Sequence, residues 1–400
     1  MRIAYLTQSY PPMISGAAIV VEGLAKAMAK RGHQVLVIAA SDKNHPCVSY
    51  QENLTIMRLR SIHNPLRVGQ RFLLFPRGSV MKTLQEFNPE IIHLHEPLLI
   101  GWLGIRYAKQ SNIPTTLTVH QVPSFVACYF PNFFRAHVET VLWMYARWLS
   151  KKFTSIVVPT QTVSTLITQM TGLHANTISY GIDLEIFRPA LSLDEEVAAR
   201  QKWNLPSNVP ILLHVGRLDI EKRVERVIQA AAKVLNQTNA HLVIVGDGSQ
   251  KNNLVKLCND IGITERVHFT GFVSAQEGLP EIYRLANLFV TASEIETQGI
   301  VLLEAAASGL PIVAVRATCI PEIVHNGING HLTEPGATSA LASAMSRLLK
   351  NPSKAKFMGK ASRTLAEKHE ICLGLDEHEQ LYRQLVRKVR IQRVKAKTSF

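Results

Sequence analysis

The sequence predicts an α/β protein built from two doubly wound domains. Strand-like apolar runs alternate with helical spacing in both halves of the chain, and a stretch of linker composition separates the two series. The length of 400 residues exceeds what one core usually fills and sets a prior of two domains of roughly 200 residues each. Charged residues make up 18% and apolar residues 46%, which suits a folded chain and rules out one disordered throughout.

The elements follow in order. Ile3–Leu6 is a short apolar run, and residues 17–31 have helical spacing with Val20, Val21, Leu24 and Met28 on one face. Arg31-Gly32-His33 stops that helix, and Val35–Ala39 is the next strand. Ile91–Leu94, Thr115–Val119 and Ser155–Val158 continue the series as continuous apolar runs, the pattern of strands buried on both faces of a parallel sheet. A second series runs through Ile211–Val215, His241–Val245, Val267–Thr270, Leu288–Thr291 and Ile312–Val315, with helix candidates between. The expected domains are residues 1–184 and 209–375, joined by a linker at 185–208, with a crossover helix and basic tail at 376–400. Ligands of such sheets bind at the carboxyl ends of the strands, so the expectation is two domains facing a central cleft.

Composition narrows the function class. No stretch reaches the ~18 consecutive apolar residues of a membrane span. The start, MRIAYLTQSYPP, reads as a first strand and not as a secretory signal. The five cysteines are scattered, odd in number and without a C-x-x-C pair, which argues against a disulfide framework or structural zinc and favours a reducing compartment. The net charge of +14 is unevenly spread. Residues 1–188 carry 18 Lys/Arg against 9 Asp/Glu, and residues 383–400 carry seven cations (Arg383, Arg387, Lys388, Arg390, Arg393, Lys395, Lys397) and no anion. Charge on this scale attracts a polyanion, either a nucleic acid or an anionic membrane.

Four motifs lie where a strand meets a helix. Glu296-Thr-Gln-Gly-Ile-Val-Leu-Leu-Glu304 follows the strand at 288–291, with Glu296 in the loop and Glu304 within the helix. The amides of Gly299, Ile300 and Val301 at the helix start suit a diphosphate or a sugar oxygen, and carboxylates accept strongly from hydroxyl groups. Gly216-Arg217-Leu-Asp-Ile-Glu-Lys222 follows the strand at 211–215, and both Arg217 and Lys222 can reach phosphate oxygens. Pro11-Pro12-Met-Ile-Ser-Gly16 lies between the first strand and helix, where Gly16 permits close backbone approach. His120 ends the strand at 115–119. His93 and His95 share a strand face, but no third ligand stands out, so no metal site is expected. The chain has no Asp-x-Asp, no G-x-x-x-x-G-K-[ST] and no G-x-S-x-G, which weighs against kinase, P-loop and serine-hydrolase chemistry.

Taken together, Pro-Pro-x-x-x-Gly16, Arg31-Gly32-His33, His120, Gly181-Ile182-Asp183 with Phe187, Gly216-Arg217 with Lys222, and the Glu-x7-Glu run resemble the retaining GT-B glycosyltransferases of family four. The resemblance spans nearly the whole chain. It implies that the second domain binds a nucleotide-sugar as co-substrate, with no metal and no other cofactor. By the same resemblance Arg217 and Lys222 neutralise the diphosphate, Glu304 holds the ribose hydroxyls, and Glu296 with the following amides holds the transferred sugar. Gly16 admits the donor phosphates, His120 contacts the sugar, and Val273 matches the stretch that meets the base. Transfer would retain the anomeric centre. Ser15-Gly16 stands where many relatives have Gly-Gly, and Tyr180 where many have Asn.

The acceptor has to be read from the first domain. Arg67, Arg71, Phe72, Phe75 and Arg77 mix cations with large apolar groups, and Phe125, Tyr129, Phe130, Phe133 and Phe134 follow His120 closely. Cations beside exposed aromatics suit an anionic bilayer. The Glu-Thr-Gln-Gly form of the motif with this aromatic loop looks most like the diacylglycerol glucosyltransferases, with the phosphatidylinositol mannosyltransferases next, and that resemblance implies a hexosyltransferase on the inner face of the plasma membrane, moving glucose from UDP-glucose to a lipid such as diacylglycerol. The alternative is mannose from GDP-mannose to phosphatidylinositol, or a polyprenyl or soluble sugar acceptor. A soluble sugar-processing enzyme of the same fold would leave the basic surface unexplained, and a nucleic-acid-binding module would leave the Glu-x7-Glu run idle, so no nucleic-acid partner is expected.

Overall fold

The computed structural model describes residues 1–13, 15–63, 71–74, 76–96, 99–189 and 192–398, with side chains through residue 395. The chain forms two compact units, each a Rossmann-like α/β layer structure. The first comprises Met1–Pro123, Glu139–Tyr180 and Cys372–Phe400, and the second Ser124–Val138 and Gly181–Ile371.

The first unit holds an eight-stranded sheet in the order Asn176–Thr177, Ser155–Val158, Thr115–Thr118, Ile91–Leu94, Arg2–Leu6, Gln34–Ala40, Leu54–Leu59, Cys47–Gln51. All pairs are parallel except the last, which is antiparallel. The central strands are buried along nearly their whole length, as continuous Ile/Val/Leu runs require. After the first strand the helix Gly16–Lys30 begins on Ser15, whose hydroxyl accepts from the Ala18 N–H at 3.0 Å. It ends at Arg31, with Gly32 in the left-handed region. The sheet order reverses between Arg2–Leu6 and Ile91–Leu94.

The second unit holds a six-stranded, wholly parallel sheet in the order Val267–Gly271, His241–Val245, Ile211–Val215, Leu288–Val290, Ile312–Val315, Gly330–Thr333. Its reversal lies between Ile211–Val215 and Leu288–Val290. A doubly wound sheet leaves a crevice at the carboxyl ends of the two strands flanking such a reversal, because their crossover helices go to opposite faces. The loops that start at Gly216 and at Thr291 therefore open side by side.

Two segments depart from expectation. The stretch 185–208 is not a bare linker. It contains the helix Leu193–Lys202, capped by Ser192 and anchored in the second unit by Arg200, which donates to the Pro206 and Val209 carbonyls at 2.7 and 3.2 Å. Its acidic first turn and basic last turn match the helix dipole, a signal masked by its low apolar content. Ser124–Val138, expected in the first domain, belongs to the second unit. The final helix, Ile371–Thr398, crosses to the first unit from Cys372 on, as the crossover reading expected, and buries Tyr382, Leu385 and Val386 among Ile3, Tyr5 and Val21. Short strands also escaped the sequence reading. Cys47–Gln51 is an edge strand with mostly exposed residues, and Gly330–Thr333 opens on a glycine whose added Cβ would meet the Ile312 carbonyl oxygen.

Candidate active site

The switch point of the second sheet gathers the charged residues. Gly216 ends the strand, and Arg217 turns its guanidinium toward Asp219 (Nη1 to Oδ2, 2.6 Å) and Glu221 (Nη2 to Oε1). The opposite face of the guanidinium lies 5.3 Å from the Phe125 ring centroid. The Glu221 side chain is fully buried, and its second oxygen accepts from the Tyr129 hydroxyl at 2.7 Å. Asp219 in turn accepts from the Ser249 amide and hydroxyl at 3.0 and 2.9 Å. Arg217 is thus held on three sides, which restricts a long side chain before any ligand arrives.

Lys222 closes the 3-10 turn Ile220–Lys222, and its Nζ lies 2.6 Å from Glu296 Oε1. Both side chains are only about 15% exposed or less, at 15% and 13%. Glu296 lies in the loop after Leu288–Val290, where its amide donates to Thr318 Oγ1 at 2.9 Å. Beneath them His214 is buried, its Nδ1 bonded to the Val290 carbonyl at 3.0 Å. Burial chiefly pushes its pKa down to about 4, so it stays neutral beside the ion pair.

Gly299 stands in the left-handed conformation at the start of the helix Ile300–Ala307, and its carbonyl accepts from the Leu302 amide at 2.8 Å. Ile300 and Val301 occupy the first turn, whose amides have no acceptor within the helix. Glu304 lies one turn on and accepts from the Tyr283 hydroxyl at 2.8 Å. Burial raises its pKa to about 7, with the Tyr283 hydrogen bond working the other way. Val273 is different: its side chain is packed in the core, so only its backbone is open to a ligand.

In the first unit His120 ends a buried chain of rings. Its Nδ1 shares a 2.9 Å hydrogen bond with the Tyr180 hydroxyl and its Nε2 one of 2.9 Å with His95 Nδ1. His95 stacks on His93 with centroids 4.0 Å apart, and His93 bonds Thr118 Oγ1 and the Tyr382 hydroxyl, each at 2.6 Å. Burial, with His378 nearby, pushes the His120 pKa down to about 3, so the imidazole is neutral. Glu96 ties down the loop after the first strand, accepting from the amides of Gln8 and Ser9 at 2.5 and 2.7 Å. Gly16 is the first residue of its helix, with open space where a Cβ would stand.

The described residues expected to face an acceptor or a membrane differ in their surroundings, and they divide between the two units. Arg67 and Phe75 lie outside the described residues. Arg71 is held inside a hairpin, donating to Ser61 Oγ at 2.8 Å and to Asn44. Phe72 and Arg77 are exposed. Phe125 is only 7% exposed because it lies under Arg217, which corrects its assignment to a membrane face. Tyr129 and Phe130 are half exposed, and Tyr129 is bonded to Glu221 in the second unit. Sequence reasoning did not single out Glu221, Asp219, His214, Glu96 or Tyr283, whose importance comes from partners distant in sequence.

Two Rossmann-like domains, one of which gathers paired cations and carboxylates at a sheet reversal, have the architecture of a glycosyltransferase of the GT-B class. Residues 196–365 match the description "Glycosyl transferases group 1", and residues 14–186 match "Glycosyltransferase Family 4". The chain is 31% identical over 321 residues to the GDP-mannose-dependent alpha-mannosyltransferase of Mycobacterium tuberculosis, a match covering 78% of this chain and 79% of that protein. It is 28% identical over 317 residues to the alpha-monoglucosyldiacylglycerol synthase of Streptococcus pneumoniae, covering 78% of this chain and 71% of that protein. The structure of sucrose-phosphate synthase from Thermosynechococcus elongatus superposes with a TM-score of 0.81 at 25% identity, covering 96% of this chain and 98% of the other. The chain belongs to the family-four, group 1 glycosyltransferases.

Proposed function

We propose that the enzyme transfers a hexose from a nucleotide-sugar, UDP-glucose by preference, to a membrane lipid such as diacylglycerol, with retention at the anomeric carbon. The observation that carries the donor half is the pairing of Arg217 and Lys222 with carboxylates at the reversal of the second sheet. The cations neutralise the charge that builds on the departing diphosphate, as a fixed fork and a point charge. Their charge makes a metal ion unnecessary for leaving-group departure. Glu304, once ionised, accepts from the ribose hydroxyls, and Glu296 with the amides after it holds the sugar. A contact of His120 with the sugar rests on the family resemblance: both its ring nitrogens are bonded within the first unit, to Tyr180 and His95, and the neutral imidazole brings no charge. Front-face attack by the acceptor hydroxyl is the route to retention: the new C–O bond forms on the side the diphosphate leaves, and the acceptor proton passes to the departing phosphate oxygen.

The lipid half rests on the uneven positive charge of the chain and on the similarity to a glucosyldiacylglycerol synthase. Among the described residues no helix is long and apolar enough to cross a membrane, so the proposed association is peripheral, at the inner leaflet. Similarity to a GDP-mannose-dependent enzyme favours, as a second reading, mannosyl transfer to phosphatidylinositol. A donor screen tests both. The protein is incubated with anionic vesicles holding diacylglycerol or phosphatidylinositol, and UDP- and GDP-sugars are offered in turn. UDP release with a new glucolipid supports the first reading, and GDP release with a mannolipid the second. Release with only soluble sugar acceptors overturns the lipid half and keeps the donor half.

A further inference from the structure

The helix Asn132–Ser150 carries Val141, Met144, Tyr145 and Trp148 at i, i+3, i+4 and i+7, one face of the helix. That spacing usually marks the side turned to a core. Here the core side is Trp143 and Leu149, and the apolar stripe is turned to solvent. Met144 is 67% exposed and Trp148 50%. The helix Leu99–Ser111 extends the patch with Leu99, which is exposed, and Trp102, whose Nε1–H donates to the Tyr145 hydroxyl at 3.2 Å. The Trp102 and Trp148 rings lie 4.9 Å apart, and Lys152 Nζ stands 4.2 Å from the Trp148 centroid. All of these residues belong to the first unit.

The charge beside the patch is predominantly positive. Residues 99–111 and 140–152 hold Arg106, Lys109, Arg147, Lys151 and Lys152 and no Asp or Glu, and the one acid of the helix Asn132–Ser150 is Glu139, before the stripe. Exposed Met, Leu and Val side chains, indole and phenol groups with apolar bodies and polar tips, and cations at the margin fit a water–lipid boundary. The rings and aliphatic groups enter the interface and the cations meet phosphate head groups. A second copy of the chain would bring cations against cations, which disfavours this face as a self-association surface. We infer that this face, built from the two helices, docks the enzyme on an anionic bilayer. The inference deepens the lipid-acceptor reading and rests on it. It moves the membrane contact away from Phe125, Arg71 and the basic tail, whose Arg390 and Arg393 are bonded to Glu90 and to the Ser111 and Asn112 carbonyls.

The test uses the full chain and vesicles of phosphatidylcholine with or without phosphatidylglycerol. Co-sedimentation is measured for the wild type, for Met144→Ser with Trp148→Ser, and for Lys151→Glu with Lys152→Glu. The wild type should bind the anionic vesicles, and each double variant should lose about tenfold or more in partitioning. Because a variant can fail by misfolding, tryptophan quenching of the wild type by brominated phosphatidylcholine in the anionic vesicles is read as well. Quenching that Trp102→Phe with Trp148→Phe abolishes supports the inference. Equal binding by the variants, or no quenching, overturns it while leaving the lipid reading intact. A wild type that ignores vesicles yet glycosylates a soluble sugar overturns both. A dimer in vesicle-free solution that the serine variant breaks gives the face to a second copy and also overturns the inference.

Discussion

At the scale of residues, the site is a set of charges already paired before a donor arrives. Lys222 and Glu296 neutralise each other across 2.6 Å, and Arg217 does the same with Asp219 and Glu221. In the proposed reading a diphosphate would compete with protein carboxylates for both cations, and the pairing keeps the partly buried charges compensated. Lys222→Ala and Glu296→Ala should each lower turnover by about 100-fold or more, with much smaller effects on thermal unfolding. Steady-state rates beside melting curves check this, and near wild-type rates in either variant would remove that residue from the site. Tyr129→Phe takes one hydrogen bond from the buried Glu221 carboxylate. It should weaken donor binding several-fold through a looser Arg217 while leaving turnover at saturation nearly unchanged, a split that titration with donor reads directly.

Glu304 supplies a pH dependence. Its pKa rises from an ordinary 4.5 to about 7 in the folded protein. Its contribution to stability is fully present below the unfolded value and is lost as pH rises to about 7, because the carboxyl of the unfolded chain ionises over that range while the buried one keeps its proton. Donor affinity should move the opposite way, strengthening as the carboxylate ionises and can accept from hydroxyls. Isothermal titration with UDP at about pH 6 and about pH 8 checks the sign. Glu304→Gln should flatten the dependence, and an unchanged slope in that variant would assign it to another group.

At the scale of elements, the helix Leu193–Lys202 shows how a polar segment is held. Ser192 accepts from the Glu195 amide at 3.3 Å, and three acidic residues follow in the first turn. Ser192→Ala should cost about 1 kcal/mol, measured by urea unfolding of the second unit, with no change in donor binding. The buried histidines of the first unit act together as an element of their own. His120 is depressed to about 3 and His378 to about 4, both mainly by burial, and His93 and His95 also lie below the ordinary 6.5. Groups buried neutral stabilise the fold above their unfolded pKa, and that stability disappears as pH falls below about 6.5. Melting of the first unit should therefore drop steeply between about pH 6.5 and about pH 4. His378→Asn should make the drop shallower, provided the variant melts cooperatively at neutral pH.

At the scale of the whole molecule, the final helix ties the chain's end to its first strands. Tyr382 is fully buried and shares a hydrogen bond with His93, and Leu385 and Val386 enter the same core. Removing residues 383–400 should lower the melting temperature of the first unit, because it deletes the core side chains of Leu385 and Val386 and leaves Glu90 without its Arg390 partner. Calorimetry that shows an unchanged first unit would contradict that account.

The sequence by itself determined the two α/β halves, because strands buried on both faces must be continuous apolar runs and the helices between them must be amphipathic. It also pointed to Arg217, Lys222 and Glu296, which stand between a strand and the following helix, and to Glu304 in the first turns of such a helix, since these places carry binding residues in doubly wound folds. Only the tertiary structure decided which charges pair with which. Glu221 and Tyr129 are 92 residues apart along the chain and 2.7 Å apart in space, a proximity that no local spacing encodes. The fate of the aromatic residues was also decided in three dimensions. Phe125 goes under a guanidinium, while an apolar stripe with core-like spacing, Val141 to Trp148, turns outward. Periodicity tells that a helix has an apolar face, but what that face meets depends on how the remaining chain packs, and here its neighbours cover the side of Trp143 and Leu149 instead.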